Sequence, residues 1–240
     1  MCNRYRPASV VRIRDVFGFT YIESGPDIRE WRPGIGPLQL GPFITNQRRL
    51  MVGQWGLIPD KSKTSKPMIA GRPMSTNNAR FDLGKREPEK ASFKGPWSRG
   101  QRCIVPAEAY DEPYWGHGGP KCIWWTFARA DGVPWALAGL WNEWTDPVSG
   151  EIVPSYTMLT INCNEHPLLS LMHRPDVDKD GKVLPPELQD KRSVVPLERE
   201  HWEQWLHGTP EEAASLLGLA PFDAYKHGAA DPANAVQLPL

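Results

Sequence analysis

The chain has 240 residues, of which 40% are hydrophobic, 23% charged and 11 tryptophan, enough apolar surface for one packed domain and unlike a disordered polypeptide. Its 28 basic and 28 acidic side chains cancel, which excludes a whole-molecule field for polyanions and leaves any nucleic-acid contact to local patches. Cys2, Cys103, Cys122 and Cys163 stand singly, so neither a disulfide framework nor a zinc site is expected. The start of the chain lacks a signal-peptide core and no apolar run reaches membrane length, which points to the cytoplasm.

In chain order, β-forming runs over 10–14, 17–22, 50–55, 103–106, 121–128, 135–140 and 155–162 alternate with turn residues and predict strands. The 25 prolines and 21 glycines between them favour a curved sheet or barrel over a doubly wound sheet. Two polar stretches, 60–74 and 176–189, read as exposed loops. The second carries Asp176, Asp178, Asp180 and Gly181, faintly like a calcium loop, but no metal is expected there. Near the C-terminus 198–206 predicts a helix with Trp202 and Trp205 on a core face. Thr209-Pro210-Glu211-Glu212 predicts another, a capping box opening a helix through Leu217 and closed by Gly218. The fold class is therefore α+β, a β-rich barrel-like core with a few peripheral helices. A single domain over 1–220 and a tail over 221–240 are expected. The basic stretches Arg48-Arg49, Lys61/Lys63/Lys66, Lys85-Arg86 and Lys191-Arg192 read first as solvated surface.

Cys2 is the residue richest in chemistry. Loss of Met1 would leave an α-amine beside the thiol. Such an amine titrates at about 7.7–8.0, so part of it is neutral at physiological pH and can attack an aldehyde to form an imine. The neighbouring thiol can then close a five-membered thiazolidine, its approach already arranged by the shared residue. Position alone favours the reading of a small buried cysteine.

The company of Cys2 changes that balance. Trp55-Gly56-Leu57-Ile58-Pro59, then Asn77-Asn78-Ala79-Arg80, then Arg102-Cys103-Ile104-Val105-Pro106-Ala107 followed by Glu112, and finally Met172-His173, form an ordered set. With Met1-Cys2-Asn3-Arg4 this set resembles the SOS response-associated peptidase family, also called abasic-site processing proteins, from residue 1 to about 196. The resemblance implies a compact β-rich fold, autocatalytic loss of Met1, and a covalent crosslink between Cys2 and abasic sites in single-stranded DNA. That is an autoproteolytic, cysteine peptidase-like hydrolase, with β-elimination of the trapped sugar as a competing lyase outcome.

The resemblance assigns Cys2 as nucleophile and crosslinking residue, and Asn78 as the amide that orients the N-terminus or the sugar. It makes Glu112 the proton shuttle, with Asp111 and Glu108 as rivals, and His173 the general acid, with His166 as rival. Arg4, Arg80 and Arg192 are implied phosphate contacts, Arg174 competing with Arg192, and Thr160 is a secondary DNA-side residue. Two departures stand out. Asn3 replaces the usual glycine, and the tryptophan often found after the WGLIP motif gives way to Asp60 and a lysine-rich loop, which alters base stacking and offers Lys61, Lys63 or Lys66 to phosphates instead. No cofactor is implied. Expected partners are single-stranded DNA with abasic sites and no membrane, for a monomer that joins the nucleoid when bound. Two alternatives remain at this point: a Cys-dependent peptidase or amidase acting on other molecules, and a non-enzymatic single-strand-binding module.

Overall fold

The computed structural model describes residues 2–18, 21–22 and 31–234, with 21–22 described by backbone alone. Five strands close a barrel: β3 (Leu40–Thr45), β4 (Arg49–Trp55), β8 (Arg102–Tyr114), β10 (Trp135–Thr145) and β11 (Ile152–Asn162). The ring runs β10-β11-β4-β3-β8 and shuts through the antiparallel β8–β10 ladder. Its β11–β4 join is parallel. Further strands extend the wall: β1 (Arg4–Pro7) and β9 (Ile123–Arg129) pair with β8, and β2 (Tyr21–Ile22) with β4. Next, β7 (Asn78–Arg80) and β12 (Arg192–Val194) pair with β11, and β13 (Tyr225–Ala229) with β9. A separate small hairpin, β5 (Met68–Ile69) and β6 (Arg72–Pro73), sits in the 60–74 loop. The α+β, barrel-cored architecture expected from the sequence is the one found.

Alternation along the strands fills the barrel with one aromatic core that includes Cys2, Tyr5, Phe43, Trp55, Trp135 and Tyr156. The filling is close. A Cβ on Gly139 would lie 2.7 Å from the Thr157 carbonyl oxygen and 2.8 Å from Cys103 Sγ, so only glycine lets β10 pass there. A second core lies outside the barrel wall, where α1 (Val10–Phe17), α2 (Ala91–Ser98), α3 (Trp202–His207) and α4 (Pro210–Ser215) contribute Ile13, Trp97, Trp205 and Ala213. Thr209 forms the expected capping box with Glu212, although α4 stops at Ser215, before Gly218.

Several expectations require correction. Residues 10–14, read as a strand from their β-branched run, form α1 instead. Ser9 Oγ accepts from Arg12 N, and Gly18 closes the helix in the left-handed region at φ 61°. Capping and burial of Ile13 outweigh the weak β preference of the valines. The expected strand at 17–22 is reduced to Tyr21–Ile22, since Phe17 ends α1, and 19–20 lie outside the described residues. The tail boundary at 220 falls early, because β13 joins the sheet; 235–240 lie outside the described residues. In the 176–189 stretch Glu187 stands twelfth counting from Asp176, which adds a further calcium-loop position to Asp176, Asp178 and Asp180. Asp178 Oδ1, however, accepts from the Asp180 and Lys182 amides, and among the described residues no three acidic, histidine or cysteine side chains gather as a metal site.

Candidate active site

Strand β8 positions the centre of the site. Two residues of opposite parity, Asp111 and Glu112, send their carboxylates to opposite faces, as strand geometry requires. Asp111 opposes Arg4 in the β1–β8 ladder and binds Arg4 Nε at 2.6 Å, Arg6 Nη2 at 3.3 Å and the Thr126 hydroxyl at 2.8 Å. Glu108 pairs with Arg12 at the surface. Glu112 instead points inward, is 1% exposed, and faces His173 Nε2 at 3.3 Å. Of the three acidic rivals, it is Glu112 that the fold brings to Cys2 and His173.

His173 reaches this carboxylate from a strained backbone, at φ 62°. A left-handed conformation in a non-glycine residue costs about 1–3 kcal/mol and persists only where neighbours impose it. Three contacts do so. Its amide donates to the Pro113 carbonyl at 2.7 Å, its carbonyl accepts from Lys191 Nζ at 2.7 Å, and its Nε2 lies 3.0 Å from the Arg192 carbonyl. A carbonyl can only accept, so the Nε2–H tautomer fits this contact. The rival His166 is structural: its Nδ1 accepts from the Leu168 and Leu169 amides and its Nε2 meets the Ala220 carbonyl.

Cys2 sits against this pair, completely buried, with its thiol turned toward the Arg4 carbonyl at 3.4 Å. Its own carbonyl is gripped by two adjacent amides, Asn78 Nδ2 at 2.7 Å and Asn77 Nδ2 at 3.2 Å. Asn77 is held in turn, since its carbonyl accepts from Trp55 Nε1 at 2.9 Å and its Oδ1 from Ser75 Oγ at 2.9 Å. The WGLIP motif thus supplies both the tryptophan that orients Asn77 and Gly56, whose φ of 143° suits glycine. Sequence reasoning singled out Asn78 and missed Asn77 and Lys191. The Asn77-Asn78 doublet was the available signal for the first; nothing local marks the second.

Burial sets the proton inventory. It pushes the Glu112 carboxyl up to about 7, helped by the Asp111 charge, and pulls the His173 imidazole down to about 3. It also raises the Cys2 thiol well above its ordinary value, with Glu112 adding to the effect. At neutral pH the site therefore holds a neutral imidazole, a protonated thiol and a carboxyl poised to give or take a proton.

The expected DNA-side residues are arranged less openly. Arg4 is 53% exposed and bound through Nε to Asp111. Arg80 Nη1 pairs with Asp190 at 2.7 Å. Arg192 is buried between Asp190 and Asp82, both at 2.7 Å. Thr160 is wholly enclosed in β11, so it backs the site and presents no surface to a polynucleotide. Arg174 lies over the Trp115 ring at 5.8 Å, beside a cavity of about 370 Å³ lined by His173, Leu171, Leu184 and Lys191. Lys61, Lys63 and Lys66 are exposed on their loop.

Comparison with known proteins places this geometry in context. Proteins named abasic site processing protein HMCES match in part. The one from Gallus gallus is 28% identical over 173 residues, covering 61% of this chain and 50% of that protein. The one from Xenopus tropicalis is 30% identical over 138 residues, covering 50% and 39%. This chain thus spans half or less of the length of those relatives. A crystal structure of a protein from Bordetella bronchiseptica superposes with a TM-score of 0.77 at 30% identity, over 96% of this chain and all of that one. A second, from Bacteroides thetaiotaomicron, shares the fold with a TM-score of 0.71 at 21% identity, over 96% and 93%. The sequence model described as SOS response associated peptidase (SRAP) matches residues 1–233, and the chain belongs to that family.

Proposed function

We propose that this protein traps abasic sites in single-stranded DNA as a covalent adduct of Cys2. Hydrolysis of the Met1–Cys2 bond consumes one water, releases methionine and frees the α-amine. That amine adds to the C1′ aldehyde of the ring-opened sugar and loses water to give an imine. The thiol then adds across the C=N bond, its proton passing to nitrogen, and closes the thiazolidine. The name of the relatives, abasic site processing protein, supports the abasic-site part of this reading.

The observation that carries this reading is the pairing of a doubly held Cys2 backbone with a carboxyl at about 7. Amine addition and loss of water need a group that both donates and accepts protons near neutrality, which Glu112 does and an imidazole at about 3 does not. Glu112 therefore takes the acid role in ring opening, with the neutral His173 ring beside it at 3.3 Å. The raised Cys2 thiol argues against a peptidase acting on other molecules, since that chemistry calls for a thiolate of depressed pKa, whereas thiazolidine closure follows attack by the amine.

The test is a denaturing gel of the protein mixed with a single-stranded oligonucleotide bearing one abasic site. A heat-stable shifted band from wild type, absent in Cys2→Ser and Cys2→Ala, is expected. Intact mass showing loss of Met1 with no band would overturn the reading.

A further inference from the structure

The cavity of about 370 Å³ beside His173 is walled by Trp115, Leu171, Pro175 and Leu184, with His173 and Lys191 completing its chemistry. The segment 175–190 builds much of it and carries five acidic side chains, Asp176, Asp178, Asp180, Glu187 and Asp190, yet none of them lines it. Asp176 accepts from the Asp190 amide at 3.0 Å, and Asp190 is held by Arg80 and Arg192. The wall is preformed. Gln189 Oε1 accepts from the Asp176 amide at 2.7 Å while its Nε2 donates to the Leu184 carbonyl at 2.6 Å, and Asn164 Oδ1 accepts from the Lys191 amide at 2.9 Å. Size, apolar lining and fixed walls are those of a ligand pocket.

Its cations are placed the other way. Lys191 is 6% exposed and makes no ion pair among the described residues. One of its three N–H donors goes to the His173 carbonyl. Burial holds the ammonium below the ordinary lysine range against the opposing charges of Asp176 and Cys163. A buried cation without a contact partner is costly until an anion joins it. Arg174, exposed and likewise without an ion pair among the described residues, stands over the Trp115 ring in the same wall. An apolar enclosure with two uncompensated cations and no carboxylate fits a flat ring that carries a phosphate. His173 joins this cavity to the reaction centre, since it lines the one and faces Glu112 at 3.3 Å in the other.

We propose that the cavity takes one nucleotide of the bound strand, a neighbour of the trapped sugar, with its base turned out between the apolar walls and its phosphate met by Lys191 and Arg174. This rests on the single-stranded DNA reading above and adds to it a base subsite built by the 175–190 segment. Extruding a base costs least from a single strand beside a gap in the stack, which an abasic site provides.

The test is fluorescence anisotropy with a labelled single-stranded oligonucleotide carrying a tetrahydrofuran spacer, which has no aldehyde and forms no covalent adduct. Loss of one base contact, roughly 1–3 kcal/mol at 1.4 kcal/mol per decade, corresponds to about 5- to 150-fold. Leu184→Trp fills the cavity and should weaken binding within that range. Arg174→Gln should flatten the slope of log affinity against log salt by about 0.7, the share of one phosphate. A second spacer placed either 5′ or 3′ of the first leaves no base to enter: on one side it should weaken wild type as Leu184→Trp does, with no further loss in that variant. Affinity of Leu184→Trp within about two-fold of wild type overturns the proposal, as does an unchanged salt slope in Arg174→Gln. Should Leu184→Trp fail to fold, Arg174→Gln, a change at an exposed side chain, decides alone. Free deoxyadenosine monophosphate that binds while Leu184→Trp keeps wild-type affinity for the strand assigns the cavity to a free nucleotide and also overturns it. An aldehyde-bearing oligonucleotide on a denaturing gel reads the trapping chemistry separately: with no Cys2-dependent band, the trap fails while anisotropy still decides the cavity.

Discussion

Strand β8 carries a buried charge near each end, and the two ends treat it in opposite ways. At the start, Arg102 is 2% exposed and its guanidinium reaches the Trp205 carbonyl through Nε and the Gly208 carbonyl through Nη2, at the C-terminus of α3. Oriented carbonyls and the negative end of a helix are a good environment for a cation, so this charge ties the helical layer to the barrel. Near the other end Glu112 is equally buried but faces a neutral histidine, and burial lifts its pKa toward 7. A buried charge that is solvated by fixed dipoles stabilises; one whose protonation is left near balance does chemistry at a cost in stability.

The largest effect that bears on this contrast is kinetic. Glu112→Gln keeps shape and removes the titrating proton, so crosslink formation timed on denaturing gels should slow by about 10²–10⁴-fold, and the inflection near pH 7 in the rate profile should vanish. An unchanged rate would place the proton elsewhere. At the other end Arg102→Met should leave the rate per folded molecule untouched but lower unfolding free energy by roughly 3 kcal/mol, the worth of two charged hydrogen bonds, as read by urea denaturation.

A pH series sharpens the comparison further. Glu112 is raised from 4.5 to about 7, so the native state holds the extra proton and stability falls as pH rises through that window. His173 is lowered from 6.5 to about 3, so the unfolded state holds the extra proton and stability rises with pH between those values. Between pH 4.5 and 6.5 the two slopes oppose each other. Relative to wild type, Glu112→Gln should therefore gain stability with rising pH across that range and His173→Asn should lose it, each by roughly 2–3 kcal/mol at 1.36 kcal/mol per unit. Parallel thermal-melt curves for all three proteins would contradict the inverted pair. The smallest effect lies far from the site: Thr209→Ala removes the α4 cap and should cost about 1 kcal/mol with no kinetic consequence.

Much of the candidate site was legible in the sequence because its motifs are local. Cys2, Asn78 and Glu112 were found by pattern, and the capping box of α4 by the spacing of Thr209 and Glu212. The strand at 103–106 proved to run from Arg102 to Tyr114, because Glu108, Asp111 and Glu112 break the apolar alternation where the chemistry is concentrated. Residues 10–14 failed the other way: two adjacent valines outvoted a serine cap and a terminal glycine that a helix reading would have used.

What the sequence by itself determined is the order of the elements and the identity of the reactive groups, since periodicity, capping and motif spacing act within a few residues along the chain. Only the tertiary structure decided which carboxylate faces Cys2 and which proton is mobile. Those outcomes turn on strand register and burial: β1 and β9 flank β8 in a register that turns Asp111 outward to Arg4 and Glu112 inward to His173. The β1–β8 half of that register joins residues about a hundred positions apart, and desolvation depends on the whole surrounding structure.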